Sequence, residues 1–171
     1  STTHTAPTTP PKEQNDPFAA YLQKFGNEHG NEHGNEHGNE HDGDQGDYTT
    51  ALEYYAKSLD IDILLYGRHH KNVGNTYNNM GAVYNNQGKY ENALEYHNKA
   101  LVIRLQVHGP DHPDVGLSYH NMGIVHMKRD DNVQALDLFE RALGIRLPAL
   151  GADHPLTKKT ITWIKKVKRR M

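Results

Sequence analysis

The apolar positions from residue 46 to the C-terminus follow the spacing of amphipathic helices. Four positions at i, i+3, i+4 and i+7 form the stripe of one predicted helix: Tyr77, Met80, Gly81 and Tyr84. Residues 87–89 predict a turn, and residues 90–105 carry a second apolar stripe. Gly109 suits the position just past a helix end, and Pro110 cannot continue the helix, so this second helix should end near His108. Pro113 suits the first turn of the next helix.

The same pattern returns after 42 residues. Residues 74–115 and 116–157 are identical at 17 of 42 positions. Gly67, Gly109 and Gly151 recur at this step, as do three histidines at the predicted turns, His70, His112 and His154. A period of roughly 20–50 residues is typical of stacked arrays, in which each unit buries its apolar face on its neighbours. The sequence therefore predicts an all-α solenoid of about three helical hairpins plus a C-terminal capping helix.

Small residues mark the places where the predicted helices cross. Glycine and alanine recur there because a larger side chain would hold the helix axes apart. These positions are Gly81, Gly123, Ala93, Ala135, Ala100 and Ala142. Pro148 departs from the pattern, since it falls inside the last predicted hairpin helix and should kink it or end it early.

The spacing resembles that of the tetratricopeptide repeat. The matching motif is Tyr77-x2-Met80-Gly81-x2-Tyr84, with Ala93 and Ala100 downstream. Its long period, together with residues 76–115, is similar to the kinesin-light-chain and nephrocystin type of array. The resemblance covers residues 46–157, and it implies a helical-hairpin solenoid that acts as a non-catalytic scaffold for protein or peptide partners.

The resemblance also implies that the first helix of each hairpin lines an inner groove. The residues that we expect to bind a peptide or partner helix there are Asn75, Asn78, Asn79, Asn85, Asn86, His120, Asn121, Ile124 and Lys128. Asparagine suits such a groove because its amide offers both donors and an acceptor to an extended backbone. The alternative is an ordinary solvated helix face. Leu117 and Asn121 stand where a clamp for a terminal carboxylate needs basic groups, so that subtype is not expected.

Composition divides the chain into four segments. Residues 1–15 are rich in Thr and Pro and are expected to be disordered. Residues 16–45 combine a predicted first helix at 16–29 with a run of NEHG tetrads that we interpret as an inserted loop. Residues 46–157 form the repeat domain, and residues 158–171 form a basic capping helix.

The tetrads raise one alternative function, which is metal binding. Four histidines recur at intervals of four: His29, His33, His37 and His41. Imidazoles suit Zn²⁺, Ni²⁺ or Cu²⁺, and residues four apart share a helix face. The intervening glycines oppose a helix, at about 0.8–1 kcal/mol each relative to alanine. The other interpretation is a short repeat tolerated in a surface loop, without a ligand.

Composition and charge exclude several classes of function. The chain has no cysteine, so it has no disulfide and no thiol nucleophile. No phosphate-binding glycine loop or nucleophile elbow is present, so neither an enzyme nor a cofactor is expected. The formal net charge is −2, yet residues 156–171 hold seven of the 19 Lys and Arg and none of the 21 Asp and Glu. The remainder is therefore acidic and disfavours nucleic acid.

Location and assembly follow from the same features. No apolar run approaches the roughly 18 residues of a membrane span, so we expect a cytoplasmic protein. The basic run from Lys165 to Arg170 adds nuclear import as an alternative. A short array can also stack end to end on a second copy, so self-association is a further expectation.

Overall fold

The computed structural model describes residues 44–171, which belong to one compact unit. This part of the chain contains six α-helices and no strand. In chain order they are α1 (Asp44–Tyr66), α2 (Lys71–Asn86), α3 (Tyr90–His108), α4 (Pro113–Lys128), α5 (Asn132–Leu150) and α6 (Pro155–Lys168). The predictions for residues 1–15, for a helix at residues 16–29 and for the tetrads lie outside the described residues.

The helices pack in chain order as a stack of hairpins. The pair α2 and α3 forms one hairpin, and α4 and α5 form the next. The contact of α3 with α4 joins these hairpins, while α1 packs on α2 and α6 packs on α5. The predicted all-α solenoid is confirmed across the described residues. The predicted end of α3 at His108 and the start of α4 at Pro113 are also confirmed.

The three histidines of the 42-residue step begin the first helices of the repeat units. The Nδ1 atoms of His70, His112 and His154 accept hydrogen bonds from the backbone N–H two residues later, at 3.3, 3.2 and 3.2 Å. Each histidine is therefore the N-cap of its helix, α2, α4 or α6. The sequence shows their recurrence but not this role, because histidine is not among the usual N-cap residues.

Replacing one capping histidine should measure the strength of this bond. We expect His154→Ala to lower the free energy of unfolding by about 1 kcal/mol, because the N–H of Leu156 loses its acceptor. His154→Asn should retain most of the stability, since its amide oxygen can accept the same bond. Urea denaturation of both variants checks this expectation. An equal loss in the two variants would show that capping is not what His154 contributes.

Glycine allows the two helices of each hairpin to approach closely. A Cβ added at Gly81 would lie 2.8 Å from a ring atom of His97, and one added at Gly123 would lie 2.9 Å from Phe139. Both ring side chains are almost fully buried. The alanines expected at crossings have no exposed surface: Ala93, Ala100, Ala135 and Ala142. The prediction that helices cross at small residues is confirmed.

The expected early end at Pro148 is wrong, because α5 continues to Leu150. Proline lacks the N–H that would bond to the carbonyl of Gly144 in a regular helix. Gly144 is exposed and has open space around it, so water can reach that carbonyl. Only two residues of α5 follow the proline, and the N–H of Gly151 still bonds to the carbonyl of Leu147 at 3.0 Å. The carbonyl of Gly144 can therefore tilt away from the proline ring toward water, and the helix continues for two more residues.

Candidate functional site

A buried arginine joins the two described hairpins. Arg104, in α3, is 4% exposed and extends toward α4. Its Nη1 donates to Ser118 Oγ at 2.9 Å and to the carbonyl oxygen of Asp114 at 3.3 Å. Its guanidinium also donates to the side-chain oxygens of Asn78 at 3.4 Å and Asn75 at 3.3 Å. Burial lowers the pKa of Arg104, and the Asp114 carboxylate partly offsets that effect.

The next hairpin repeats this arrangement. Arg146, in α5, is fully buried and donates to Thr160 Oγ1 at 2.8 Å and to the carbonyl oxygen of Leu156 at 3.2 Å. Each arginine thus binds a hydroxyl 14 residues later and a carbonyl 10 residues later, both on the following helix. In the first unit, Asp62 occupies the position that is equivalent to Arg104. The carboxylate of Asp62 accepts a hydrogen bond from Asn72 Nδ2 at 3.5 Å. The first boundary therefore lacks the arginine.

Two of the asparagines expected in the groove bind each other. Asn121 Nδ2, on α4, donates to Asn78 Oδ1, on α2, at 2.9 Å. Asn78 is 7% exposed and also accepts from Arg104, so it lies inside the structure. Because Asn78 is buried and its oxygen accepts both bonds, it links neighbouring helices and is not presented to a ligand.

His120 is also interior, although the sequence placed it on the groove. It is 3% exposed, its Nδ1 lies 3.3 Å from Thr160 Oγ1, and its ring meets Phe139 edge-on with centroids 5.2 Å apart. Burial holds its pKa well below the ordinary value, and Arg146 adds to that effect. His120 is thus a neutral packing residue between α4, α5 and α6. In this conformation it cannot meet a ligand.

The other expected groove residues reach the surface to different degrees. Asn75, Asn86 and Lys128 are exposed, whereas Asn79, Asn85, Asn121 and Ile124 are half-buried. Asn75 already accepts a bond from Arg104, and Ile124 packs against the core around Phe139. The structure therefore leaves an open polar strip on α2, which includes Asn79 and Asn86, and a basic end on α4.

Helix α6 continues this surface, although the sequence interpretation stopped at α4. One more 42-residue step from Ile124 and Lys128 leads to Lys166 and Arg170. Lys166 Nζ lies 4.6 Å from the ring centroid of Trp163, and Arg170 donates to the carbonyl oxygen of Met127 at 3.4 Å. The apolar side of α6 packs on α5, where Trp163 stacks with Phe139 at 5.9 Å between centroids. The 42-residue step would have predicted from the sequence that Lys166 and Arg170 extend this surface.

None of the helices within residues 44–171 has the length and apolar character needed to cross a membrane. The tetrad histidines His29, His33, His37 and His41, which were predicted as metal ligands, lie outside this range.

These features define an α-helical repeat protein whose hairpins are joined by buried polar contacts. The family model of the tetratricopeptide repeat matches residues 40–85 and 72–147, and the chain belongs to this family. Tetratricopeptide arrays are protein-interaction scaffolds, and the fold is typically that of a non-enzymatic module. A comparison with curated protein sequences found no match.

Solved structures of kinesin-light-chain-like repeat proteins share this fold. BtubC (BKLC) from P. vanneervenii is 24% identical with a TM-score of 0.67, covering 73% of this chain and 50% of its own. A Podosopora anserina protein described as a kinesin light chain with nearly identical TPR-like repeats is 14% identical with a TM-score of 0.67, covering 92% and 68%. A substituted form of that protein gives a TM-score of 0.66 at 14% identity, covering 90% and 66%. At these identities the likeness establishes the fold alone.

Proposed function

We propose that this chain is a scaffold that binds a peptide or partner helix along the first helices of its hairpins. The proposed binding surface, here called the inner strip, comprises Asn75, Asn79, Asn85, Asn86, Asn121, Ile124 and Lys128. The observation that carries the proposal is the pair of amides on α2 that helix packing leaves half-buried and exposed, Asn79 and Asn86. Asn79 and Asn86 stand seven residues apart on one face of that helix, so both can meet the same ligand.

The buried network supports this use of the surface because it holds the strip rigid. The bond between Asn121 and Asn78 links α2 to α4 beneath the exposed amides. Arg104 connects the same asparagine to Ser118, so the two helices have a fixed register. A rigid surface loses little conformational entropy on binding, which favours affinity. Asn78 and His120 therefore act as supports of the strip and are not proposed as contacts.

Peptides selected on the full chain from a random library provide the probe. We expect Asn79→Arg/Asn86→Arg to weaken the binding of a selected peptide at least about tenfold, because two bulky charged groups obstruct the strip. The matched control is Asn92→Arg/Asn98→Arg, on exposed positions of α3, which should bind as the natural chain does. Fluorescence anisotropy measures the affinities. If the strip variant binds as tightly as the control, the strip is not the binding surface.

Metal binding by the tetrad histidines is the alternative function. The same assay in the presence of a chelator separates it from peptide binding on the inner strip. Peptide binding that persists in chelator and depends on Asn79 and Asn86 supports the strip. Binding that disappears only with chelator favours the metal. Cytoplasmic location, nuclear import through the basic run and end-to-end association remain predictions.

A further inference from the structure

Three metal-ligating side chains meet at the turn between α3 and α4. Asp114 Oδ2 lies 3.7 Å from His108 Nε2 and 3.7 Å from His112 Nδ1. One ligand atom from each residue lies within 4.8 Å of the other two. All three side chains are partly exposed, so an ion can reach them from solvent. His108 is the last residue of α3, where the partial negative charge of a helix C-terminus favours a cation.

The cluster is specific to this turn. The 42-residue step gives Tyr66, His70 and Asn72 at the preceding turn, and Leu150, His154 and Leu156 at the following one. All three turns keep the capping histidine, so capping and turn formation need neither His108 nor Asp114. Tyr66 stacks on His70 with ring centroids 4.6 Å apart. A ring without an imidazole nitrogen can therefore make the same packing contact at this position.

We propose that His108, His112 and Asp114 bind a divalent transition metal ion of the zinc class. Two imidazole nitrogens and one carboxylate oxygen form a usual protein ligand set for Zn²⁺, with water completing the tetrahedron. Ligand atoms of a tetrahedral zinc lie roughly 3.3 Å apart, given bond lengths near 2.0–2.1 Å. The two distances to Asp114 Oδ2 are 3.7 Å, so each must shorten by about 0.4 Å, and the two histidine nitrogens, now within 4.8 Å of each other, must reach the same spacing.

Two local rearrangements accompany binding. The imidazoles of His108 and His112 now stack with centroids 4.1 Å apart and 14° between planes, and parallel rings cannot both point at one ion. The His108 ring must therefore tilt. His112 Nδ1 currently accepts the capping bond from the Asp114 N–H, so a metal on that nitrogen replaces the cap. Arg104 is the nearby cation; it attracts the Asp114 carboxylate, but its hydrogen bond goes to the Asp114 backbone carbonyl, so no arginine bond occupies the carboxylate oxygens.

Zinc titration of the full chain tests the site once the tetrads no longer compete. The parent variant carries His29→Gln, His33→Gln, His37→Gln and His41→Gln. The test variant adds His108→Tyr/Asp114→Asn, which places the side chains of the preceding turn at this one. We expect the parent to bind one Zn²⁺ by calorimetry, and the test variant to bind it at least about tenfold more weakly.

Nuclear magnetic resonance locates the ion independently. Zinc should shift the ring nitrogens of His108 and His112 and the backbone amide of Asp114, whose hydrogen-bond acceptor it removes. The Leu156 amide, bonded in the same way to His154, is the internal control and should not move. Circular dichroism confirms that the test variant folds. Equal zinc affinity in parent and test variant, or zinc shifts that spare the Asp114 amide, would overturn the proposal. The result does not depend on peptide binding.

Discussion

Replacing Gly123 by alanine should lower the free energy of unfolding by about 2 kcal/mol, as measured by urea denaturation. The added Cβ would lie 2.9, 3.0 and 3.1 Å from three ring carbons of Phe139. That ring cannot move aside easily, because it is fully buried between His120 and Trp163. The overpacking therefore outweighs the gain of about 1 kcal/mol that alanine brings to a helix interior.

Gly144→Ala provides the matched control for this substitution. Gly144 also lies inside a helix, but an added Cβ meets nothing within 4 Å. We expect this variant to be about 1 kcal/mol more stable than the natural chain, because only the helix preference changes. Adding Phe139→Leu to Gly123→Ala should recover part of the loss, since a smaller side chain relieves the contact. Equal effects of alanine at Gly123 and Gly144 would contradict the tight crossing.

Replacing His97 by phenylalanine should make the chain markedly less sensitive to acid. Burial, with a smaller contribution from Arg104, lowers the pKa of His97 to about 3. Below about pH 6.5 the histidine of the unfolded chain binds a proton that the buried His97 does not bind until the pH approaches 3. The free energy of unfolding is therefore highest above about pH 6.5 and decreases as the pH falls toward 3. Between about pH 7 and 5 one such histidine costs about 2 kcal/mol of stability, and His97→Phe should remove that loss.

Neutral-pH stability should be unchanged or higher in His97→Phe. The repeat already places Phe139 and Tyr55 at the equivalent positions, both buried. His97 Nδ1 is buried without a hydrogen-bond partner, so phenylalanine also removes an unsatisfied polar atom. Urea denaturation at about pH 7 and 5 measures the difference, with exposed His69→Gln as the control. If His97→Phe loses as much stability on acidification as the control does, His97 does not cause the acid sensitivity.

The sequence predicted the helices and their crossings well because these follow from periodic apolar and small residues. Gly81 and Gly123 recur at a fixed step, and steric exclusion at a helix crossing leaves few other choices of residue. The early end expected at Pro148 was wrong because the carbonyl of the exposed Gly144 has room to tilt away from the proline ring and bond to water. The exposure of that carbonyl depends on how the helices pack, which residue type alone does not show.

The groove was harder to predict because helical spacing places a residue on a face but does not show what covers it. Asn78 and Asn79 are adjacent in sequence, yet one is buried and the other is half-buried. His120 is buried in contact with Thr160, 40 residues away on α6. The roles of Arg104 and Arg146 could have been found from the 42-residue step, because each recurs with a hydroxyl residue 14 positions later. Such pairs are visible in sequence only when units are compared across their boundary.

The arginine bonds make the links of the array unequal. Where Arg104 and Arg146 cross a boundary, separating two hairpins would break the hydrogen bonds from the guanidinium to the next helix, so those neighbours are coupled by bonds that the first boundary lacks. The boundary between α1 and α2 has Asp62 instead, and its bond to Asn72 is 3.5 Å long. Among the described helices we therefore expect local opening to begin at that boundary, before α2 to α6 unfold. Within residues 44–171 the array should therefore unfold in a preferred direction, from α1 toward α6.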